Sequence, residues 1–254
     1  GDVYKRQAYD PDNDQRLDPR VRAILKMVPS GPAPTFATRE EAIEAARSPE
    51  AMANAQFAIQ MMELCDTEDV VTSAGLELWA EKIESQPDGN IIHLQIVRPK
   101  GDAVLPCVYY IHGGGMASLS CTMGNYRAWA KILAHQGVCV VMVEFRNSMQ
   151  PSSIEDIAPF PGGLNDCISG LKWVHAHAGD LRIDTSRVVV SGESGGGNLA
   201  LAVGLQLKRD AALHLVKGIY AFCPFIAGEY PRPELPSTTE NNGIFINLGG
   251  NGPA

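Results

Sequence analysis

The sequence lacks the marks of several large protein classes. No apolar run approaches the roughly 20 residues that a membrane-crossing helix needs, so no membrane span is expected. The opening residues, Gly1-Asp2-Val3-Tyr4-Lys5-Arg6-Gln7, contain no apolar stretch of the signal-peptide kind. Positive charge is scarce: 21 Lys and Arg stand against 29 Asp and Glu, a net charge of -8. The pI is about 5.2, and no basic patch stands out, which argues against a nucleic-acid partner or an anionic membrane surface. The cysteines (Cys65, Cys107, Cys121, Cys139, Cys167, Cys223) form no C-x-x-C pair. Several sit inside apolar runs such as Val138-Cys139-Val140-Val141. They suggest buried thiols of a reducing, cytoplasmic compartment and neither a disulfide frame nor a metal site. Neither glycine signature of nucleotide-binding loops occurs in the right context, so no cofactor is expected. Internal repeats and low-complexity tracts are also missing. What remains is a chain of 254 residues, 45% hydrophobic, with 25 Gly and 17 Pro. That is ample for a core, excludes general disorder, and suits one large α/β domain or two small ones.

The two ends stand apart from the rest. Asp2-Val3-Tyr4-Lys5-Arg6-Gln7 matches a translated transposase-type sequencing adapter, so residues 1–7 are expected to be non-native and are excluded from fold reasoning. The chain stops in a Gly-rich stretch, 247–254, with no closing helix or strand expected. Residues 8–70 are expected to form an N-terminal cap of helices. Thr38-Arg39-Glu40-Glu41 is a capping box that opens a helix through about Arg47. A second helix is predicted over about Glu50–Leu64, with an apolar stripe at Met52, Ala55, Ile59 and Met62. Core packing is the first explanation of that stripe; a lid over an apolar pocket is the second.

From residue 71 a core of different rhythm is expected. Leu76, Leu78 and Ala80 alternate with polar residues, as do Ile92, Leu94 and Ile96, around the turn Gln86-Pro87-Asp88-Gly89-Asn90; this predicts an antiparallel hairpin. Four short apolar runs follow: Val104–Ile111, Val138–Phe145, Arg187–Ser191 and Gly218–Phe225. Helical stretches near Asn125–His135, Leu164–His177 and Gly195–Lys208 separate them. Short apolar strands alternating with helices predict a doubly wound, mostly parallel sheet.

Two motifs carry chemistry. Gly192-Glu193-Ser194-Gly195-Gly196 matches G-x-S-x-G and lies between the strand Val188-Val189-Val190 and a helix. A tight strand-to-helix turn presents such a serine, and side chains at Gly192 or Gly196 would clash within it. His112-Gly113-Gly114-Gly115 follows the strand Val108-Tyr109-Tyr110-Ile111. Successive glycines leave backbone N–H groups unobstructed, as an oxyanion hole needs; losing one such donor costs roughly 3–4 kcal/mol. The expected donors are the N–H groups of Gly114, Gly115 and Gly195.

Together, His112-Gly113-Gly114-Gly115 and Gly192-Glu193-Ser194-Gly195-Gly196-Gly197-Asn198 resemble the hormone-sensitive-lipase-like group of α/β-hydrolases, over roughly residues 70–250. The resemblance extends to Glu144-Phe145-Arg146 and to Pro161-Gly162-Gly163-Leu164-Asn165-Asp166. It implies an α/β-hydrolase fold, Ser194 as nucleophile, His112 as a structural hydrogen-bonder, Gly113 as part of the oxyanion loop, and a serine carboxylesterase of short- to medium-chain acyl esters. Glu193 departs from the aspartate common at that position.

The triad acid and base do not follow. In this fold they come after the serine, in the order acid then histidine. Beyond Ser194 the chain has one histidine, His214, and one aspartate, Asp210. His214 precedes the strand Gly218–Phe225, at the wrong end of the sheet; Glu229, Glu234 and Glu240 lie after it. The resemblance therefore implies a C-terminally truncated core over 71–254, with its last strands missing, a bare apolar edge at Gly218–Phe225, and no turnover from this chain. A ligand-binding protein of the same fold, an amidase and a thioesterase are the alternatives. His175 and His177 are two apart on a helix and suit no metal site; His93 and His135 suit structural roles.

Overall fold

The computed structural model describes residues 14–25, 36–226, 232 and 234–236. Residues 1–7, the stretch 247–254, Glu229 and Glu240 lie outside the described residues. The chain divides into two compact units, 42–226 and a second made of 1–41 with 227–254.

In the second unit, α1 spans Pro19–Leu25, and the Asp18 carboxylate accepts the Arg20 N–H at 2.8 Å. The capping box forms at Thr38, whose Oγ1 accepts the Glu41 N–H at 3.2 Å. The Glu41 carboxylate reaches back to the Ala37 N–H at 2.9 Å, and α2 runs Arg39–Ala46, from Ala42 on within the larger unit.

The larger unit is a six-stranded sheet with helices on both faces. Its strands are β1 (Leu76–Glu84), β2 (Ile91–Pro99), β3 (Leu105–Ile111), β4 (Cys139–Glu144), β5 (Ile183–Glu193) and β6 (Gly218–Phe222). They lie in the order β1-β2-β4-β3-β5-β6. The hairpin β1–β2 and the pair β2–β4 are antiparallel; β4, β3, β5 and β6 run parallel. Helices α4 (Gly124–Ala134), α5 (Gly162–Ala176), α6 (Ala178–Leu181) and α7 (Gly195–Arg209) fill the crossovers. The mostly parallel α/β sheet is thus the expected one, and β5 is longer than the apolar run alone suggested.

Alternation along the strands divides the core. Tyr109, Ile111, Val141, Val143, Val188 and Val190 pack with Leu171 and Val174 of α5 and Val203 and Leu207 of α7. Tyr110, Val140 and Met142 point the other way, onto Tyr126, Ala130 and Ala134 of α4. Burial on both faces explains why these strands are apolar throughout.

Two expectations need correction, those for α3 and for Cys223. The hairpin forms as expected; on β1 Leu76 is buried and Leu78 is 44% exposed, whereas Trp79 and Ile83 pack with the core. Their register partners Ile96 and Ile92 are fully buried, so pairing with β2 decides which face turns inward. The stripe on α3 (Pro49–Glu63) is not core packing, because no residue of that helix is buried and Met52 is 60% exposed. Its end is held by charge: Glu63 and Asp66 pair with Arg127 at 2.7 Å each, and Asp66 pairs with Lys131 at 2.7 Å. Finally, Cys107, Cys121, Cys139 and Cys167 are buried free thiols, but Cys223 is exposed. Among the described residues, no helix is long and apolar enough to cross a membrane.

Candidate active site

Strand β5 ends at Glu193 and α7 begins at Gly195, leaving Ser194 alone in the turn. Its backbone sits at φ 54°, ψ -118°, a region that costs a non-glycine residue about 1–3 kcal/mol. Surrounding bonds hold it there. The Ser194 N–H donates to the Phe222 carbonyl at 2.9 Å, and the Ser194 carbonyl accepts the N–H groups of Asn198 and Phe225 at 3.0 Å each. The Asn198 amide donates to the Phe225 carbonyl at 2.8 Å.

The flanking glycines are required by close backbone approach. A Cβ on Gly192 would sit 2.4 Å from the Gly196 carbonyl oxygen and 2.8 Å from that of Ile111. One on Gly196 would sit 2.1 Å from the Ile111 oxygen. The end of β3 therefore presses directly onto the first turn of α7.

That contact carries the glycine loop to the serine. A Cβ on Gly195 would meet the amide nitrogens of Gly115 and Met116, both at 2.7 Å. Gly114 and Gly115 have φ +97° and +63°, and a Cβ on Gly114 would lie 2.2 Å from the Ser118 oxygen. The Gly114 carbonyl accepts the N–H groups of Ala117 and Ser118 at 3.0 and 3.1 Å, curling the loop back on itself. Among the described residues, the N–H groups of Gly114, Gly115 and Gly195 have no backbone acceptor.

The Gly113 N–H is different: it donates to the Tyr126 hydroxyl at 3.0 Å. That hydroxyl in turn donates to Glu193 Oε1 at 2.7 Å. Glu193 thus faces away from the serine, onto α4.

The His112 ring is fully buried, stacked on Phe145 at 4.3 Å between centroids. Its Nδ1 is 2.9 Å from the Gly113 carbonyl, and its Nε2 is 4.0 Å from Glu144 Oε2. Burial pushes the imidazole below its ordinary 6.5, outweighing the attraction of Glu144. Burial alone would raise the Glu144 carboxyl, but His112 and hydrogen bonds from Cys121, Ser152 and Ser120 hold it below 4.5. His112 braces the loop from beneath, between β3 and β4.

The five other histidines are engaged elsewhere or lie on other elements. His135 and His175 meet the carbonyls of Thr72 and Leu215 at 2.9 and 2.7 Å. His177 meets the Trp173 carbonyl at 2.9 Å. His93 lies on β2 opposite Lys82 and Glu144. His214 is in the short turn Leu213–Leu215, which enters β6. Ser194 leaves the carboxyl end of β5, parallel to β6, so His214 is at the opposite end of the sheet. Among the described residues, no group of three or more His, Cys, Asp or Glu could hold a metal.

Sequence reasoning located Ser194 and every glycine above, because each has a local signature. It missed Tyr126, Phe222 and Phe225. Nothing in the sequence pairs Tyr126 with Glu193, and a carbonyl that accepts a hydrogen bond has no residue signature at all.

A mostly parallel sheet whose fifth strand ends in a strained serine at a helix N-terminus, with a glycine loop pressed against it, has the strand–turn–helix elbow of the α/β-hydrolase class. Comparison with known proteins supplies the family. A family model described as the alpha/beta hydrolase fold matches residues 108–248. Over 137 residues the chain is 38% identical to carboxylesterase NlhH of Mycobacterium tuberculosis, covering 54% of this chain and 39% of that protein. It is 28% identical over 136 residues to tuliposide A-converting enzyme 2 of Tulipa gesneriana, covering 50% of this chain and 33% of that protein. The chain therefore spans well under half the length of these curated relatives. Among solved structures, esterase Est22 is 51% identical with a TM-score of 0.92, over 95% of this chain and 71% of that one. Brefeldin A esterase, described as a bacterial homologue of human hormone sensitive lipase, is 34% identical with a TM-score of 0.76, over 94% and 67%. The chain belongs to the hormone-sensitive-lipase-like carboxylesterase family of the alpha/beta hydrolase fold.

Proposed function

We propose that the protein is a serine carboxylesterase acting on short- to medium-chain acyl esters, with Ser194 as nucleophile. The observation that carries this reading is the contact of Gly195 with Gly115 and Met116, which sets the amides after the serine beside those of the glycine loop. In this reading Ser194 Oγ attacks the ester carbonyl, and the negative charge on the carbonyl oxygen meets the N–H groups of Gly114, Gly115 and Gly195. The tetrahedral intermediate collapses to an acyl-enzyme, and water releases the acid. Gly192 and Gly196 let the elbow form; Gly113, His112 and Glu193 support the loop. Helix α3, within the larger unit and with its apolar stripe exposed, contributes part of a cap over the acyl group.

The hydroxyl proton has to pass to an imidazole and then to the leaving alcohol. His214, the one histidine after Ser194, is at the far end of the sheet. The 254 residues thus offer a nucleophile and an oxyanion loop without a base to serve them, and this chain by itself is expected not to turn over esters above background.

The test uses protein expressed from the complete open reading frame beside the 254-residue chain. A fluorophosphonate should label the former at Ser194, and p-nitrophenyl butyrate hydrolysis should vanish in Ser194→Ala. No labelling of Ser194 would sink the esterase reading in favour of a ligand-binding protein. Faster cleavage of matched anilides or thioesters would reassign the bond. Turnover by the 254-residue chain through Ser194 would overturn the statement about the base.

A further inference from the structure

The family motifs account for the serine and the glycines, but not for Tyr126. It lies on the first turn of α4, on a different element from either motif, and is 4% exposed. Its hydroxyl is the junction of a two-bond bridge. It accepts the Gly113 N–H at 3.0 Å and donates to Glu193 Oε1 at 2.7 Å. The bridge joins the residue before the free N–H groups of the glycine loop to the residue before the serine.

The geometry around it is tight. A Cβ on Gly113 would lie 2.2 Å from Glu193 Oε1 and 3.2 Å from the Glu193 carbonyl oxygen, so loop and elbow touch at this point as well. The phenol ring is fixed by Tyr110 and His112, with centroids 6.2 and 5.7 Å away. The turn that bears it is anchored independently: Glu63 Oε1 accepts the Gly124 N–H at 3.0 Å, and Arg127 donates to the Thr122 carbonyl. Burial, then Glu193, pushes the phenol well above its ordinary value, so it stays a donor.

We infer that Tyr126 is a positioning residue that locks the oxyanion loop to the nucleophile elbow through Gly113 and Glu193, a role that rests on the esterase reading above. With the Gly113 N–H committed to Tyr126, the loop brings the amide nitrogens of Gly115 and Met116 against Gly195. A phenylalanine at 126 would keep the ring packing and remove both bonds. It would leave the Gly113 N–H buried without its partner and the loop free to turn.

Two measurements test this. The first reads geometry without activity: amide exchange at Gly113 in the 254-residue chain should be protected in the parent and clearly faster in Tyr126→Phe. The second reads chemistry in the protein from the complete reading frame. Tyr126→Phe should lower kcat on p-nitrophenyl butyrate by on the order of ten- to a hundredfold, less than loss of an oxyanion donor itself, with KM changed less than about twofold. Glu193→Leu should fall by a similar factor, and the double variant should fall no further than the worse single one, because both break one bridge. A residue that only supports folding would lower Tm without splitting kcat from KM. Unchanged exchange at Gly113, an unchanged kcat in Tyr126→Phe, or losses that multiply in the double variant would each overturn the role. If the parent enzyme is not labelled by fluorophosphonate, the esterase reading fails, and the exchange experiment alone still decides whether the bridge holds the loop.

Discussion

Two junctions tie the sheet of this protein together, and they are made of different material. At the carboxyl ends of β3 and β5, backbone meets backbone: Gly192, Gly195 and Gly196 lie so close to Ile111, Gly115 and Met116 that no side chain fits. At the carboxyl end of β4, side chains do the joining. The Asp166 carboxylate, fully buried on α5, accepts from the Arg146 N–H and Nε at 2.9 Å each and from its Nη2 at 3.0 Å. It also accepts from the Ser85 hydroxyl at 2.6 Å and Asn90 at 3.2 Å, while Arg146 reaches Asp88 at 2.6 Å. One cluster thus pins the hairpin turn, β4 and α5. A backbone junction tolerates almost no added atom but asks nothing of distant side chains. A side-chain junction tolerates some change of volume but depends on every charge finding its partner.

The sharpest way to break this contrast is Gly196→Ala. Its new methyl meets two carbonyl oxygens, those of Ile111 and His112, within 2.5 Å. A loss of more than about 4 kcal/mol is expected from urea unfolding, because neither strand end can retreat. Should Gly196→Ala lose under 1 kcal/mol, the idea of an inflexible junction fails. Asp166→Ala comes next, at about 3–5 kcal/mol, since Arg146 would be left nearly buried without its main partner. Asp166→Asn, which keeps the acceptor but not the charge, should lose visibly less; equal losses would show that charge is not what matters there.

The pH dependence gives a third, smaller effect. His112 has a pKa below 6.5 in the folded protein. The unfolded chain therefore binds a proton first as pH falls, and stability starts to decline below about pH 6.5. Glu144 is held below 4.5, so its contribution is complete above that pH and disappears as pH drops through the lower folded value. Urea midpoints from pH 7 to 3.5 should fall in two stages, and Glu144→Gln should flatten the second at a cost of about 2 kcal/mol at pH 7. Gly115→Ala is milder still. Open space surrounds that Cβ, but φ is +63°, so about 1 kcal/mol is expected from thermal melts. Met52→Gln on the exposed face of α3 should stay within about 0.5 kcal/mol by the same measurement.

The contrast also explains what could be read from the sequence. The elbow and the glycine loop were legible because close backbone approach leaves only one residue type possible, and a run of glycines beside a strand is visible in any chain. The parallel strands were legible because burial on both faces removes polar residues from a short run. The Arg146–Asp166 cluster was not, although both residues stood inside recognised segments: charged residues far apart in sequence carry no local sign that they meet. The same holds for Tyr126, an ordinary aromatic on a helix. The face that β1 turns inward was not legible either, because Leu78 and Ala80 carry no sign that pairing with β2 turns them outward.

The bonds between Ser194 and Phe222 at the end of β6, with Phe225 just after it, have a consequence for the order in which the protein takes shape. Phe222 and Phe225 hold the serine backbone from both sides, yet they are synthesised after it. A nascent chain that has already released β5 and α7 from the ribosome still has an unsecured turn at position 194, and its strained conformation has nothing to hold it. The turn at Ser194 is therefore set late, by the end of β6 and the residues just after it.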